Sequence, residues 1–299
     1  MNTQVNANRK AAMFSLAGMM TLGISDNFVA FVAPVSSLWQ FHLVRGLMVL
    51  GIVCAVALIF GNDIRPKRFW PVFARSAMIA LSMLIYFGCI AIMPISLVVA
   101  GLFTSPLFIL LIAIIFQGQR VGPWRVLAVL IGFAGALMVV QPDPNALDPL
   151  AFLPMLAGLL YAISAVATRA WCEGESTTSL TVMFFSMLVA FGLIGVLIFP
   201  GEGGGAEGFP TRGWMPMTGV MFGWYVAQAI GAAIGIVCLF RAYQLGEASK
   251  VAVFEYSMLV FASFWAWVIW GQTVSALGII GMAMIFVAGS IIALRSEAA

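Results

Sequence analysis

Charge is what this sequence has least of. Of its 299 residues, 8% are Asp, Glu, Lys or Arg, against roughly 25% in a soluble domain. Such a chain lacks the polar surface to be wrapped in water, and it has no basic face of the kind that holds nucleic acid. Histidine is nearly absent. His42 is the single one, and with no Cys or acidic cluster near it in sequence it cannot build a metal site alone. The four cysteines, Cys54, Cys89, Cys172 and Cys238, show neither zinc nor redox spacing and read as small buried apolar residues. No cofactor is implied. The chain also lacks His-Glu-x-x-His, Gly-x-Gly-Asp and Gly-x-Ser-Gly patterns and a Walker A loop, which argues against an intramembrane enzyme and against ATP-driven transport. No repeated filter or charged ring marks a channel.

What is present is hydrophobic: 63% of the residues, in stretches that approach the roughly 20-residue length of a membrane-spanning helix. Polar or turn-rich breaks predict ten spans, near residues 11–33, 38–60, 70–92, 95–116, 122–140, 150–171, 178–199, 215–240, 251–270 and 275–294. The first follows Arg9-Lys10 like a secretory signal. It is too long for one, carries Asp26, and precedes many further spans, so it reads as a retained helix. Clear breaks are Gly61-Asn62-Asp63, Gln141-Pro142-Asp143-Pro144 and the glycine-rich run from Gly201 to Gly205, which reads as a surface loop. No soluble domain is expected at either end.

With ten spans both termini share a side. That side collects Arg9, Lys10, Arg65, Lys67, Arg68, Arg75, Arg120, Arg125, Arg169, Arg241, Lys250 and Arg295, whereas the other holds Arg212 with Asp143, Asp148, Glu202 and Glu207. The Lys/Arg bias of short loops marks the cytoplasm, so both termini are expected there.

The two halves repeat. Aligning Gly118-Gln119 with Gly271-Gln272 also brings Ser96 onto Ser249, Phe103 onto Tyr256 and Thr104 onto Ser257; one extra residue then matches Phe133-Ala134-Gly135 with Val287-Ala288-Gly289. Five spans per copy is an odd number, so the copies must lie inverted. The expected fold is an all-α integral membrane protein of ten transmembrane helices, with repeats at residues 1–145 and 146–299. Inverted repeats suit alternating access, with a small molecule held near the midplane. Small residues recur every four positions at Ala128, Gly132 and Ala136 and at Ala227, Gly231 and Gly235. That spacing serves close helix packing, more commonly within one chain than in a homodimer.

The chain resembles the bacterial EamA-type ten-helix proteins of the drug/metabolite transporter superfamily. The resemblance rests on Phe41-His42-Leu43-Val44-Arg45-Gly46, Pro106, Phe254-Glu255-Tyr256-Ser257 and the paired Gly118-Gln119 and Gly271-Gln272. It implies an exporter or importer of amino acids, other metabolites, riboflavin-like compounds or drugs in the inner membrane. The family has Gly-Glu where this chain has Gly-Gln, and glutamine cannot carry a proton there.

Ionisable groups inside spans cost a few kcal/mol each and are functional candidates. Asp26 lies near the outer end of span one, and His42 and Arg45 in the outer half of span two, three residues apart. Asp26 and Arg45 lie at similar depth, either as a static ion pair or with Arg45 offering its fork to a substrate carboxylate; snorkelling to the interface is a third use. His42 lines a polar site or carries protons. Glu255 is the candidate for proton coupling, unless it pairs with Lys250 or Arg241. Phe103 and Tyr256, at matching repeat positions, are expected to line the cavity, with Ser96, Ser105, Ser257 and Gln228 as polar companions, and Pro106 should kink span four. The absence of a mid-membrane lysine disfavours nucleotide sugars. One buried arginine with two acids suits an amino acid or related amphipathic molecule, moved with protons, or by passive exchange or uniport.

Overall fold

A backbone in hydrocarbon finds no water, so a spanning segment must satisfy its own N–H and C=O groups, and helix is the local solution. The computed structural model describes residues 2–93, 95–143, 149–199 and 208–295. Among the described residues there is no strand. The helices are α1 (Asn2–Asn27), α2 (Val29–Val32), α3 (Leu38–Phe60), α4 (Phe69–Ile92), α5 (Ile95–Leu102), α6 (Ser105–Ile115) and α7 (Pro123–Val140). They continue as α8 (Phe152–Ala170), α9 (Thr177–Ile198), α10 (Gly219–Leu245), α11 (Ala248–Glu255), α12 (Ser257–Trp270) and α13 (Ala276–Arg295). Nine segments among the described residues are long and apolar enough to cross a membrane, with α5–α6 and α11–α12 each forming one of them. The protein is therefore multi-pass. Pro94, Pro144, Asp148 and the glycine-rich stretch with Glu202 and Glu207 lie outside the described residues.

Helix ends follow local chemistry. Ser37, Ser176 and Thr218 cap α3, α9 and α10 by accepting from the backbone N–H three residues on, at 3.1, 2.9 and 3.2 Å. Gly118 and Gly271 take left-handed φ values of 60° and 64°. That turn lets Gln119 N donate to Ala113 O at 3.0 Å and Gln272 N to Ala266 O at 3.3 Å, the six-residue closure that satisfies a terminal carbonyl. The paired Gly-Gln motif is thus a helix stop used twice.

Spans four and nine, expected as continuous helices with a kink at Pro106, are each divided in two. The first break falls at Phe103-Thr104, just before Pro106, whose ring nitrogen has no hydrogen for the Leu102 carbonyl. The second falls at Tyr256, with no proline. At both, a hydroxyl folds back onto a carbonyl three residues earlier: Thr104 Oγ1 to Gly101 O and Ser257 Oγ to Phe254 O, each at 2.6 Å. These are the two residues that the repeat alignment superimposes.

The most extensive helix pairs are α7 with α13, α1 with α10, α3 with α9 and α4 with α8, and α1 also lies along α12 as α8 lies along α5 and α6. Glycines set the approach. A Cβ on Gly135 of α7 would come within 2.7 Å of Gly281 O on α13, and one on Gly192 of α9 within 2.6 Å of Leu43 N and Trp39 O on α3. Gly231 and Gly235 face Ser25 and Leu22 of α1, and Gly132 faces the Tyr256 ring, so the small-residue stripes are used within the chain.

Gly192→Ala and Gly135→Ala should each lower stability by about 1–3 kcal/mol through overpacking against backbone, seen as a reduced melting temperature in detergent. Gly51→Ala, where an added Cβ meets nothing within 4 Å, should be neutral or slightly stabilising, since a helical glycine carries excess chain entropy.

Candidate functional site

The two helix breaks and the ends of α1 and α3 converge on one cavity of ≈ 100 Å³. Its wall is mainly apolar and aromatic, with Phe87, Phe103, Phe184 and Met258, and its polar groups include Asp26, Arg45, Ser105, Tyr161 and Glu255. Four of the six residues singled out from sequence, Asp26, Arg45, Phe103 and Glu255, therefore meet in a single space.

Glu255 ends α11, so the break presents its carboxylate rather than hiding it inside a helix face. It is 5% exposed. Tyr161 Oη donates to its Oε1 at 2.8 Å and Tyr243 Oη at 2.5 Å. No ion pair joins it to Lys250 or Arg241: Lys250 Nζ bonds Glu247 at 2.9 Å, and Arg241 is exposed. Its bonded partners are neutral donors, so no ion pair within bonding distance cancels its charge.

Arg45 faces the same space. Its Nη1 donates to Gln228 Oε1 at 3.3 Å, and its guanidinium lies 4.4 Å from the Phe41 ring centre and 5.4 Å from that of Phe87. Its Nε has no hydrogen-bond partner. Gln228 Nε2 in turn donates to Ser25 O at 2.7 Å, tying α10 to the end of α1. Asp26 lines the cavity half-buried and acts on Arg45 through its charge, but the two make no direct salt bridge. The Gln228 amide stands where a static ion pair would otherwise be needed. An arginine held by an amide and two aromatic faces keeps donors available for a further anion.

His42 and Tyr256 stand one layer back. The imidazole is fully buried between Phe41 and Phe87, its ring 5.4 Å from each, and neither nitrogen is hydrogen-bonded. Three residues apart on one helix, His42 and Arg45 share the Phe41 and Phe87 rings, but only Arg45 lines the cavity. Tyr256 stacks on Phe103 with centres 5.9 Å apart, and its hydroxyl has no partner. The ring backs the cavity wall through Phe103.

Sequence reasoning missed Tyr161 and Tyr243, which hold the carboxylate. Tyr243 lies past the expected end of span eight, whereas α10 continues to Leu245. It also counted Arg75 among the basic residues of the cytoplasmic side and did not single it out as an intramembrane charge. Arg75 is instead 1% exposed, almost two turns into α4, with Nε donating to Thr168 Oγ1 at 2.9 Å and its guanidinium 3.7 Å from the Phe240 ring centre. Arg212 is buried too, donating to Ala33 O and Pro34 O at 3.0 Å each and thereby closing the end of α2. Among the described residues no group of His, Cys, Asp or Glu could hold a metal ion.

The EamA-like transporter family matches residues 149–294. A riboflavin transporter of Rhizobium johnstonii is 27% identical over 95% of this chain and 88% of its own. The pseudopaline exporter CntI of Pseudomonas aeruginosa is 29% identical over 72% of this chain and 71% of its own. An S-adenosylmethionine uptake transporter of Rickettsia felis is 20% identical over 64% and 62%. One solved crystal structure superposes with a TM-score of 0.79 at 17% identity, covering 98% of this chain and 99% of the other, a likeness of fold. These relatives are named as transporters and exporters, and residues 149–294 of this chain, just under half of it, are similar to the EamA-like transporter family.

Proposed function

We propose that the protein is a secondary transporter that carries a small organic metabolite across a bacterial inner membrane by alternating access. In this reading α1–α2 is a tenth span, and residues 1–145 and 146–299 are inverted five-helix repeats. The packing supports it. Exchanging the halves turns the α1–α10 pair into α8–α4, the contact of α1 with α11–α12 into that of α8 with α5–α6, and returns α3–α9 and α7–α13 to themselves. The matched breaks at Phe103-Thr104 and Tyr256, with their matched hydroxyl-to-carbonyl bonds, support it too. Irregular backbone at membrane depth is tolerated where it lines a cavity, and discontinuous helices at a repeat interface are where transporters hold cargo.

The observation that carries the functional reading is the cavity itself. It offers a guanidinium with a spare donor, a carboxylate held by phenols, and aromatic walls between them. That combination suits an amino acid or related amphipathic compound with an acidic group for Arg45 and a basic or proton-bearing group towards Glu255. The relatives named for riboflavin, pseudopaline and S-adenosylmethionine support a metabolite as cargo. Glu255 is the coupling residue in this reading, taking up a proton or the cargo's positive charge in turn, while Asp26 adjusts the charge around Arg45.

A thermal-shift screen of amino acids, vitamins and nucleosides on detergent-purified protein should find a ligand that stabilises the wild type and not Arg45→Ala. Equal stabilisation of both would remove Arg45 from the binding site. In proteoliposomes, uptake of that ligand should respond to an imposed pH gradient. Glu255→Gln should abolish the response while leaving equilibrium exchange within a few-fold of wild type; an unchanged gradient response would exclude Glu255 as the proton carrier. A C-terminal fusion to green fluorescent protein should fluoresce and one to alkaline phosphatase should be inactive, as cytoplasmic termini require.

A further inference from the structure

At the membrane face where α1 begins, two neighbouring cavities lie outside the site described above. The larger, ≈ 430 Å³, is lined by residues of the α6–α7 turn and the start of α7, among them Arg120, Trp124 and Arg125, with Glu247 and Lys250 at the start of α11. The smaller, ≈ 160 Å³, is lined by Asn8, Arg9 and Phe254. Lys250 and Ile292 border both. The two linings together hold four cations, Arg9, Arg120, Arg125 and Lys250, and one acid, Glu247, on which Arg169 also acts. Glu247 is shared between Arg125 at 2.8 Å and Lys250 at 2.9 Å. Burial works against its charge, yet the Lys250 hydrogen bond and the Arg125 charge prevail and keep its carboxyl below its usual value. Arg9 and Arg120, both exposed, enter no salt bridge. Asn8 adds a buried amide oxygen that lacks a hydrogen-bond donor. The site therefore carries excess positive charge, directed at a space too large for a simple ion.

The surroundings identify the anion. From the larger cavity an exposed apolar stripe descends α7 through Trp124, Leu127 and Leu130, 48%, 42% and 52% exposed. Three-residue spacing keeps these side chains along one helix face, and tryptophan is favoured at the level of lipid headgroups. A basic recess at the polar end of an apolar track matches a phosphodiester with an acyl chain attached, and basic pockets between membrane helices hold such headgroups. We propose that this pair of cavities is a binding site for an anionic phospholipid. Its phosphate lies among Arg120, Arg125 and Lys250, its headgroup hydroxyls reach towards Asn8 and Arg9, and one chain follows α7. The lipid ties α1, α7, α11 and α13 together at the end of the bundle away from the helix breaks.

The test is native mass spectrometry of the full-length protein in detergent with phosphatidylglycerol or phosphatidylcholine of identical chains. Arg9→Gln with Arg120→Gln leaves the Glu247 ion pairs intact, and Arg65→Gln with Lys67→Gln is the charge-matched control in the α3–α4 loop. Wild type and control should retain phosphatidylglycerol over phosphatidylcholine. The Arg9/Arg120 variant should lose about twenty-five-fold in phosphatidylglycerol affinity, at about fivefold per cation, with phosphatidylcholine unchanged. Equal retention by variant and wild type would overturn the site, and an equal loss in the control would show a diffuse charge effect in its place. In parallel thermal shifts, inorganic phosphate and glycerol 3-phosphate should stabilise less than the lipid; stabilisation as large as that of phosphatidylglycerol would make the ligand a soluble anion and overturn the lipid assignment.

Discussion

Every backbone polar group at membrane depth must find its partner within the protein, and the rest of this structure depends on that constraint. It makes the long apolar segments helical and confines departures from helix within them to places where the chain itself supplies a substitute. The breaks in α5–α6 and α11–α12 are two such places, each mended by a hydroxyl bonded to the carbonyl three residues back. Because they fall beside one another across the bundle, they open the cavity and set its chemistry. Glu255 reaches that space because α11 ends on it, and Phe103 because α5 has already ended.

The buried charges obey the same economy with side chains in place of backbone. An isolated charge in low dielectric is costly, and the usual remedy is an opposite charge. Here the partners are neutral: phenols for Glu255, the Gln228 amide and two aromatic rings for Arg45, and a threonine with the Phe240 ring for Arg75. A direct ion pair would satisfy both members and leave little for a ligand. Neutral partners hold the groups in place without cancelling them in an ion pair. Surface charges behave differently, as Glu247 shows by pairing with both Arg125 and Lys250.

Packing supplies the rigidity around this arrangement. Gly135 against Gly281 and Gly192 against the backbone of α3 bring helices to separations that any side chain would prevent. In lipid no hydrophobic effect drives helices together, so close van der Waals contact must do that work. The pairs α7–α13 and α3–α9, which these glycines join, are among the most extensive helix contacts in the structure.

Membrane class, helix content and nine of the ten expected spans, all but the first, were legible in composition and hydropathy, because burial in lipid acts on each stretch of chain separately. The alignment of the two halves also picked out Phe103, Tyr256, Thr104 and Ser257, because a helix break and its repair are local events written in adjacent residues. That Asp26, Arg45 and Glu255 are unusual in apolar surroundings could be read from the sequence, and the structure places all three on one cavity. Their partners could not. Tyr161 and Tyr243 are 94 and 12 residues from Glu255, and Gln228 is 183 from Arg45. Hydropathy does not distinguish a tyrosine that holds a carboxylate from one that meets lipid. Arg75 and Arg212 read as loop charges and are buried, since the burial of a cation depends on which neighbouring helix brings it an acceptor or an aromatic face. Sequence determined which segments enter the membrane and which residues are costly there; tertiary structure alone decided which of them meet, because those contacts join residues far apart in the chain.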